Sequence, residues 1–334
     1  MSKKVVERYP KTQFAFYRMH NKRALCRALG ISRRKLDYLL DNKNYYYYHK
    51  KEKINGKIRE IRVPISTLRS VHERMKGLFN RIQRPEYLHS PRNERSYVTN
   101  AAQHMYGIEF ATIDIKQFYP STTSEHVFRY CFYEMEMSSD IAGLITKLCT
   151  YEERLPFGSP LSPILGFHVH REMFDQIYRV CVDNDLTLTV YVDDISVSGP
   201  HIPEGVIHSI KKIIRRENLR YHKHKRRHQN NGVNITGVNV SRSGSSPDNK
   251  ANLKMRQILD EIDCADEDYE RARLIQSAIG VNRNIINLYS DGYKAKERAK
   301  RRHAWLCTSL KLVQASLSEN SGSVTTDSND ESPL

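Results

Sequence analysis

The sequence predicts an α+β fold in which antiparallel strands are interleaved with helices. Three observations carry that expectation. The dipeptide Asn55-Gly56, a favoured two-residue hairpin turn, sits between two strand-like runs. A second hairpin is written into Thr187–Gly199, where apolar and hydroxyl residues alternate on both sides of Asp193-Asp194. Long stretches between and after these hairpins place apolar residues at helical spacing.

Taken along the chain, Leu25 and Leu29, then Leu36, Leu39 and Leu40, define two short helices over 20–42. Gly30 supplies the stop of the first and Ser32 the N-cap of the second. Arg33, Arg34 and Lys35 open the second helix, so the pair is either a DNA-reading helix-turn-helix or, the preferred view, a packed pair decorating a larger enzyme. Tyr45–Tyr48 and Ile58–Val63 are expected strands. Leu68, Val71, Met75, Leu78, Phe79 and Ile82 place a helix over 66–84. A strand-rich block runs from Ile108 to Val240, interrupted by helical stretches over 124–149 and 164–182. Ser241–Pro247 has the composition of a linker, and 250–316 is helical and basic. From Ser318 onward almost no apolar residue remains, as expected of a disordered acidic tail.

Composition narrows the function classes. With 54 Lys+Arg against 38 Asp+Glu, the net charge is +16, which points to a polyanionic partner: nucleic acid before an anionic membrane surface. No run approaches the ~18 apolar residues of a spanning helix. The N-terminal residues Met1–Arg8 lack the apolar core of a secretory signal, so a cytoplasmic protein is expected. Cys26, Cys131, Cys149, Cys181, Cys264 and Cys307 are scattered without a C-x-x-C pair, which disfavours zinc and disulfides and fits a reducing compartment.

The chemistry concentrates in Tyr191-Val192-Asp193-Asp194. Adjacent carboxylates repel, and a fold tolerates them best where cations neutralise them. Oxygen-only ligands suit Mg²⁺, with Mn²⁺ as a substitute, because Mg²⁺ keeps waters and draws on substrate phosphates for the rest. Alone, an Asp-Asp pair is as common in surface turns. A third carboxylate, Asp114, ends the strand-like run Phe110–Ile115 and is followed by an aromatic turn through Phe118 and Tyr119. Together the three acids make a two-metal site the favoured expectation.

These residues, in this order, resemble a bacterial reverse transcriptase, whose palm carries one Asp on its first strand and Tyr-x-Asp-Asp on a hairpin. Further motifs agree in order. Lys57–Pro64 resembles the basic fingers strand of that family, and Leu155–Pro163 resembles its Leu-Pro-Gln-Gly-x-Pro-x-Ser-Pro, with Phe157 in place of Gln. Asn100-Ala101-Ala102-Gln103-His104 fits the Asn-Ala-x-x-His signature of retron reverse transcriptases, and Ile235-Thr236-Gly237 is similar to their Val-Thr-Gly. Asn218–Lys225 resembles the family's Gly-Leu-x-x-Asn-x-x-Lys only loosely.

The resemblance implies a right-hand polymerase: an N-terminal helical extension over 1–48, fingers over 49–107, a palm over 108–243 with inserted helices over 124–185, a helical thumb over 248–317, and the tail over 318–334. It implies catalysis at Asp114, Asp193 and Asp194, with the Ile115 carbonyl as a further metal ligand. Lys57, Arg59, Tyr119, Phe157, Gly158 and Lys225 are the implied dNTP contacts, Tyr119 as the gate that rejects a ribose 2′-OH. Asn100, His104, Ile235, Thr236 and Gly237 are implied in RNA binding, and the basic run Arg298, Lys300, Arg301 and Arg302 is a candidate for backbone phosphates. The basic stretch Lys211–Arg227 is another, and its interleaved histidines are not expected to hold a metal among so many cations. Implied partners are a cognate structured noncoding RNA, its RNA–DNA product and a co-encoded effector protein of antiphage defence. Other bacterial reverse transcriptases (intron-related, diversity-generating or defence types) and a non-catalytic nucleic-acid scaffold are the competing expectations.

Overall fold

The computed structural model describes residues 8–54, 56–92, 94–241 and 244–322. The chain forms two compact units: one runs to Ser96 and resumes over Ile108–Arg226, the other joins Tyr97–Gly107 to the chain from Arg227 onward. The segment with Asn100 and His104 and the segment with Thr236 fall in the same unit.

The first unit opens with α1 (Lys22–Leu29) and α2 (Arg33–Asp41). Asn21 Oδ1 caps α1 by accepting from the amides of Arg23 and Ala24, Gly30 ends it at φ 73°, and Ser32 Oγ accepts from the Lys35 amide to start α2. Lys43–Tyr46 winds as a 3₁₀ turn, so the expected strand through the tyrosine run starts only with β1 (Tyr47–Ile54). β2 (Lys57–Pro64) pairs with it antiparallel, closing on Ile54 opposite Lys57. Then come α3 (Ser66–Phe79) and β3 (Leu88–Ser90), before the chain crosses to α4 (Tyr97–Ala102) in the second unit.

It returns as β4 (Glu109–Ile115), α5 (Phe118–Ser121), α6 (Ser124–Arg129), α7 (Ser139–Cys149), α8 (Ser162–Val169) and α9 (Arg171–Val182). The hairpin β5 (Thr187–Tyr191) and β6 (Asp194–Gly199), then α10 (Glu204–Arg216) and β7 (Tyr221–His228), complete a sheet of order β3-β5-β6-β4-β7. One core, with Phe16, Leu36, Met75 and Phe79, packs the helices on each other; another, with Ile113, Val190, Phe174 and Ile210, packs α9 and α10 on the sheet.

The second unit is a three-stranded meander, β8 (Val233–Ile235), β9 (Val238–Ser241) and β10 (Gly244–Pro247), followed by α11 (Asn249–Cys264), α12 (Asp268–Leu288) and α13 (Lys294–Gly322). β10 occupies sequence expected to be linker. Its serines are paired: the Ser245 amide donates to Ser290 Oγ at 2.8 Å and Ser245 Oγ to the Leu288 carbonyl at 2.9 Å. Met255, Ile258, Ile275, Ile285 and Leu306 form the helical core. α13 continues past the expected boundary at Ser318, and the rest of the expected tail, 323–334, lies outside the described residues. Among the described residues no helix is long and apolar enough to cross a membrane.

Candidate active site

The three aspartates meet at one end of the central sheet of the first unit. Asp114 on β4 lies directly opposite Asp194 on β6, and Asp194 is also opposite Tyr191 on β5. Opposed residues of antiparallel strands share a face, with Cβ atoms roughly 5 Å apart. Asp193 sits in the turn between β5 and β6, and its carbonyl accepts from the Ile115 amide at 3.0 Å. Val192 makes that turn at φ 59°, a left-handed conformation costly for a β-branched residue. Such strain persists where the surrounding structure over-determines it; here two ladders clamp the turn.

Electrostatics match the geometry. Burial pushes the Asp193 carboxyl up to about 6, the neighbouring Asp114 charge adds to this, and Arg59 opposes it. A desolvated carboxylate beside another is a site short of positive charge. Among the described residues no three His, Cys, Asp or Glu side chains close into a metal cage. An octahedral Mg²⁺ needs only one or two carboxylates besides waters and substrate phosphates, so Asp114, Asp193, Asp194 and the Ile115 carbonyl fit that ion. Sequence reasoning missed His222 on β7, whose Nδ1 lies 3.4 Å from Asp114 Oδ2. Its signal was present: His222 takes the Asn position of the loosely matched Gly-Leu-x-x-Asn-x-x-Lys stretch.

Arg59 and Phe157 build the adjoining wall. The Arg59 guanidinium stands 5.3 Å from the centroid of the Phe157 ring, and the Tyr119 ring centroid is 6.0 Å from it. The Arg62 amide donates to the Phe157 carbonyl at 2.7 Å, which fastens β2 to the loop. Gly158, at φ 121°, lies so close that a Cβ there would be 2.5 Å from Ile61 Cγ2 and 3.0 Å from the Arg62 carbonyl oxygen. Ser159 Oγ hydrogen-bonds His72 Nδ1 at 2.8 Å, and Ser162 Oγ donates to the Pro156 carbonyl at 2.8 Å. Burial, reinforced by the Asp193 charge, raises the Tyr119 hydroxyl pKa. Lys57 lies two residues before Arg59 on β2, while Lys225 is exposed on β7 with no ion-pair partner among the described residues.

The other residues singled out by sequence fall in the second unit. Asn100 and His104, expected to bind RNA, are fully buried. Thr236, at φ 49°, accepts from Asn100 Nδ2 and donates to the Tyr97 carbonyl. Ile235 is buried, and Gly237, at φ 89°, donates its amide to Asn234 Oδ1. On α13, Arg298 and Arg301 are exposed, Lys300 pairs with Glu297 at 2.8 Å, and Arg302 Nε is committed to Asn282 Oδ1 at 2.7 Å. Part of the Lys211–Arg227 charge is likewise engaged: Lys211 and Arg215 lie over the Tyr221 ring, and Arg226 pairs with Glu109 and Glu204.

The chain is 28% identical over 183 residues to the retron Se72 reverse transcriptase of Salmonella heidelberg (strain 579083-10), covering 53% of this chain and 47% of that protein. It is 25% identical over 201 residues to the retron Ec86 reverse transcriptase of Escherichia coli, covering 59% and 60%. The chain thus spans about half the length of the curated relatives it matches. A telomerase of Candida albicans, solved in complex with a TWJ fragment of telomeric RNA, superposes with a TM-score of 0.43 at 10% identity over 71% of this chain and 53% of that one, a likeness too low to add to the assignment. Residues 48–240, which hold all three aspartates and the β1–β2 hairpin, match the reverse transcriptase (RNA-dependent DNA polymerase) family, and the chain belongs to it.

Proposed function

We propose that the chain is an RNA-directed DNA polymerase of the retron type. It copies part of a cognate structured noncoding RNA into a 2′,5′-branched RNA–DNA hybrid from dNTP substrates. The observation that carries this reading is the register that sets Asp114 opposite Asp194 with Asp193 in the adjoining turn. Asp114, Asp193, Asp194 and the Ile115 carbonyl would hold two Mg²⁺ ions, with Mn²⁺ as a substitute. When bound, a metal pair activates the priming hydroxyl and neutralises charge on the leaving pyrophosphate.

The rest of the work is alignment by this chain's own side chains. Arg59, presented by β2 and stacked on Phe157, offers planar bidentate donors for triphosphate oxygens, with Lys57 two residues earlier on the same strand. Tyr119 and Phe157 wall the space into which the sugar must fit, and Tyr119 excludes a 2′-OH by volume. The second unit grips RNA through the exposed face of α13. Retron-named relatives support the retron assignment. A co-encoded effector, held in check by the enzyme and its product in antiphage defence, completes the proposal.

The test is nucleotide incorporation by the purified chain with Mg²⁺, beside Asp193→Asn, and sequencing of co-purifying nucleic acid. Loss of incorporation to background in a variant that still folds and binds RNA is expected. The co-purifying DNA should be joined to RNA by a bond that yields to a debranching enzyme. A free 3′ start would leave a reverse transcriptase of another group, and incorporation unchanged by Asp193→Asn would overturn the catalytic assignment itself.

A further inference from the structure

A cavity of about 450 Å³ in the first unit is lined by His126, Tyr130, Tyr133, His170, Met173 and Glu217, with no residue of the polymerase site among its walls. His170 is 1% exposed. Thr122 Oγ1 gives its one proton to the Phe118 carbonyl at 2.9 Å, so at 3.0 Å it accepts from His170 Nε2–H. The ring proton is therefore on Nε2. Nδ1 carries a lone pair that no donor among the described residues satisfies.

Glu217 Oε2 lies 3.9 Å from that nitrogen. Two acceptors thus face each other with no hydrogen between them, an arrangement that costs free energy in a buried place until a donor arrives. His170 does not supply the proton, because burial holds its imidazole neutral, with its pKa down at about 3. His126 does not either: its Nε2 is turned to the Glu217 carbonyl at 3.1 Å, and its ring packs edgewise on His170. Glu134 and Glu172 add carboxylates to the lining, though each also meets a cation, Lys11 at 3.6 Å and Arg179 at 2.7 Å. Arg129, the lining's own cation, is exposed. An organic cation with N–H donors answers both acceptors directly, supplying hydrogen bonds and positive charge together.

We propose that this cavity binds a small alkylammonium ion whose N–H groups donate to His170 Nδ1 and the Glu217 carboxylate together. A nitrogen about 2.8 Å from each atom subtends roughly 90° between them, within reach of a tetrahedral ammonium. Water meets the same two acceptors but brings no positive charge to the carboxylate. Tyr130 and Tyr133 add aromatic rings to the lining, and aromatic rings attract such cations. A diamine suits the volume, its far end reaching the Glu134–Glu172 side. Thr122, bonded to His170, also accepts through its carbonyl from the Leu155 amide at 3.0 Å, at the head of the Leu155–Pro163 stretch.

The experiment is calorimetric titration of the RNA-free full chain with 1,4-diaminobutane and with its hexamethylated bis-quaternary analogue, which keeps both charges and has no N–H donor. The diamine should bind and the analogue should not. Glu217→Gln, a change at a partly exposed side chain, should weaken the diamine on the order of 10-fold or more, the scale of one charge-assisted hydrogen bond. In ¹⁵N-histidine spectra the unprotonated His170 Nδ1 resonance should move on titration. Absence of diamine binding would show that the cavity holds water only; equal binding of the analogue, or an affinity indifferent to Glu217→Gln with an unmoved His170 resonance, would overturn the site as well. None of these readouts uses polymerase activity, so the outcome is independent of the function proposed above.

Discussion

Asn100 and Thr236, 136 positions apart in the chain, meet through one hydrogen bond from Asn100 Nδ2 to Thr236 Oγ1 at 3.3 Å. Thr236 Oγ1 passes its own proton to the Tyr97 carbonyl, so two short motifs are halves of one part-buried junction. Asn100 Oδ1 has no partner there among the described residues. Thr236→Val keeps the side-chain shape and removes the acceptor, stranding a buried amide donor. The expected loss is about 1–3 kcal/mol of stability, read from urea unfolding, and Thr236→Ser should recover most of it. A defect confined to RNA affinity, with unfolding unchanged, would show that the junction is not structural.

Gly158→Ala should damage both fold and substrate affinity. The added carbon falls against Ile61 and the Arg62 carbonyl, at a φ of 121° that L side chains rarely adopt. A loss of about 1–3 kcal/mol is expected. Because the loop carries Phe157, which stacks on Arg59, the KM for dNTP should rise in steady-state incorporation assays more than kcat falls.

The arginines of α13 should separate into two classes. Arg302→Ala removes a 2.7 Å bond to Asn282, a fully buried residue that also holds the Ala299 carbonyl, and should cost stability. Arg298 and Arg301 are exposed and, replaced together by Ala, should leave the melting temperature unchanged. They should instead flatten the dependence of log K for RNA on log salt by about 0.7 for each phosphate no longer neutralised. Trp305, the lone tryptophan and 52% exposed, lies four residues beyond Arg301 on the same helix, so its fluorescence should report RNA binding directly.

Acid should unfold the first unit through its buried histidines. His72 is fully buried, donating Nε2–H to the Leu148 carbonyl and accepting from Ser159 Oγ, and burial lowers its pKa from 6.5 to about 4. His168 and His170 are shifted the same way, to about 3. Between the unfolded and folded values the unfolded chain binds more protons, so stability falls as pH drops below 6.5. Each such group contributes about 1.4 kcal/mol per pH unit over that window. Urea midpoints measured from pH 7 to pH 4 should follow this slope, and His72→Gln should make it shallower.

How much of this could be read from sequence depends on whether the signal was local. Asn21, Gly30 and Ser32 act on amides within a few residues, so both N-terminal helices fall where the pattern puts them. Asp193 and Asp194 were legible for the same reason, since the alternation of β5 and β6 is written on either side of them. Lys43–Tyr46 was not, because an aromatic run favours strand by propensity while burial of Tyr47 against Tyr151 sets where extension begins. Composition misled over β10: Gly244, Ser245 and Ser246 look like linker, whereas β9 pairs with them and Ser290, far along the chain, bonds the Ser245 amide. The lone pair of His170 and the approach of His222 to Asp114 are invisible in any window, since each depends on elements folded in from elsewhere.

The bond from the Arg62 amide to the Phe157 carbonyl, with Gly158 pressed on Ile61, makes β2 and the motif loop one mechanical piece. A displacement of that hairpin therefore carries the Phe157 wall with it. In the proposed function, charge recognition by Arg59 and shape recognition by Phe157 travel as a single lever. Evolution cannot tune one without retuning the other, and any variant selected for unnatural nucleotides will have to change both sides of that weld together.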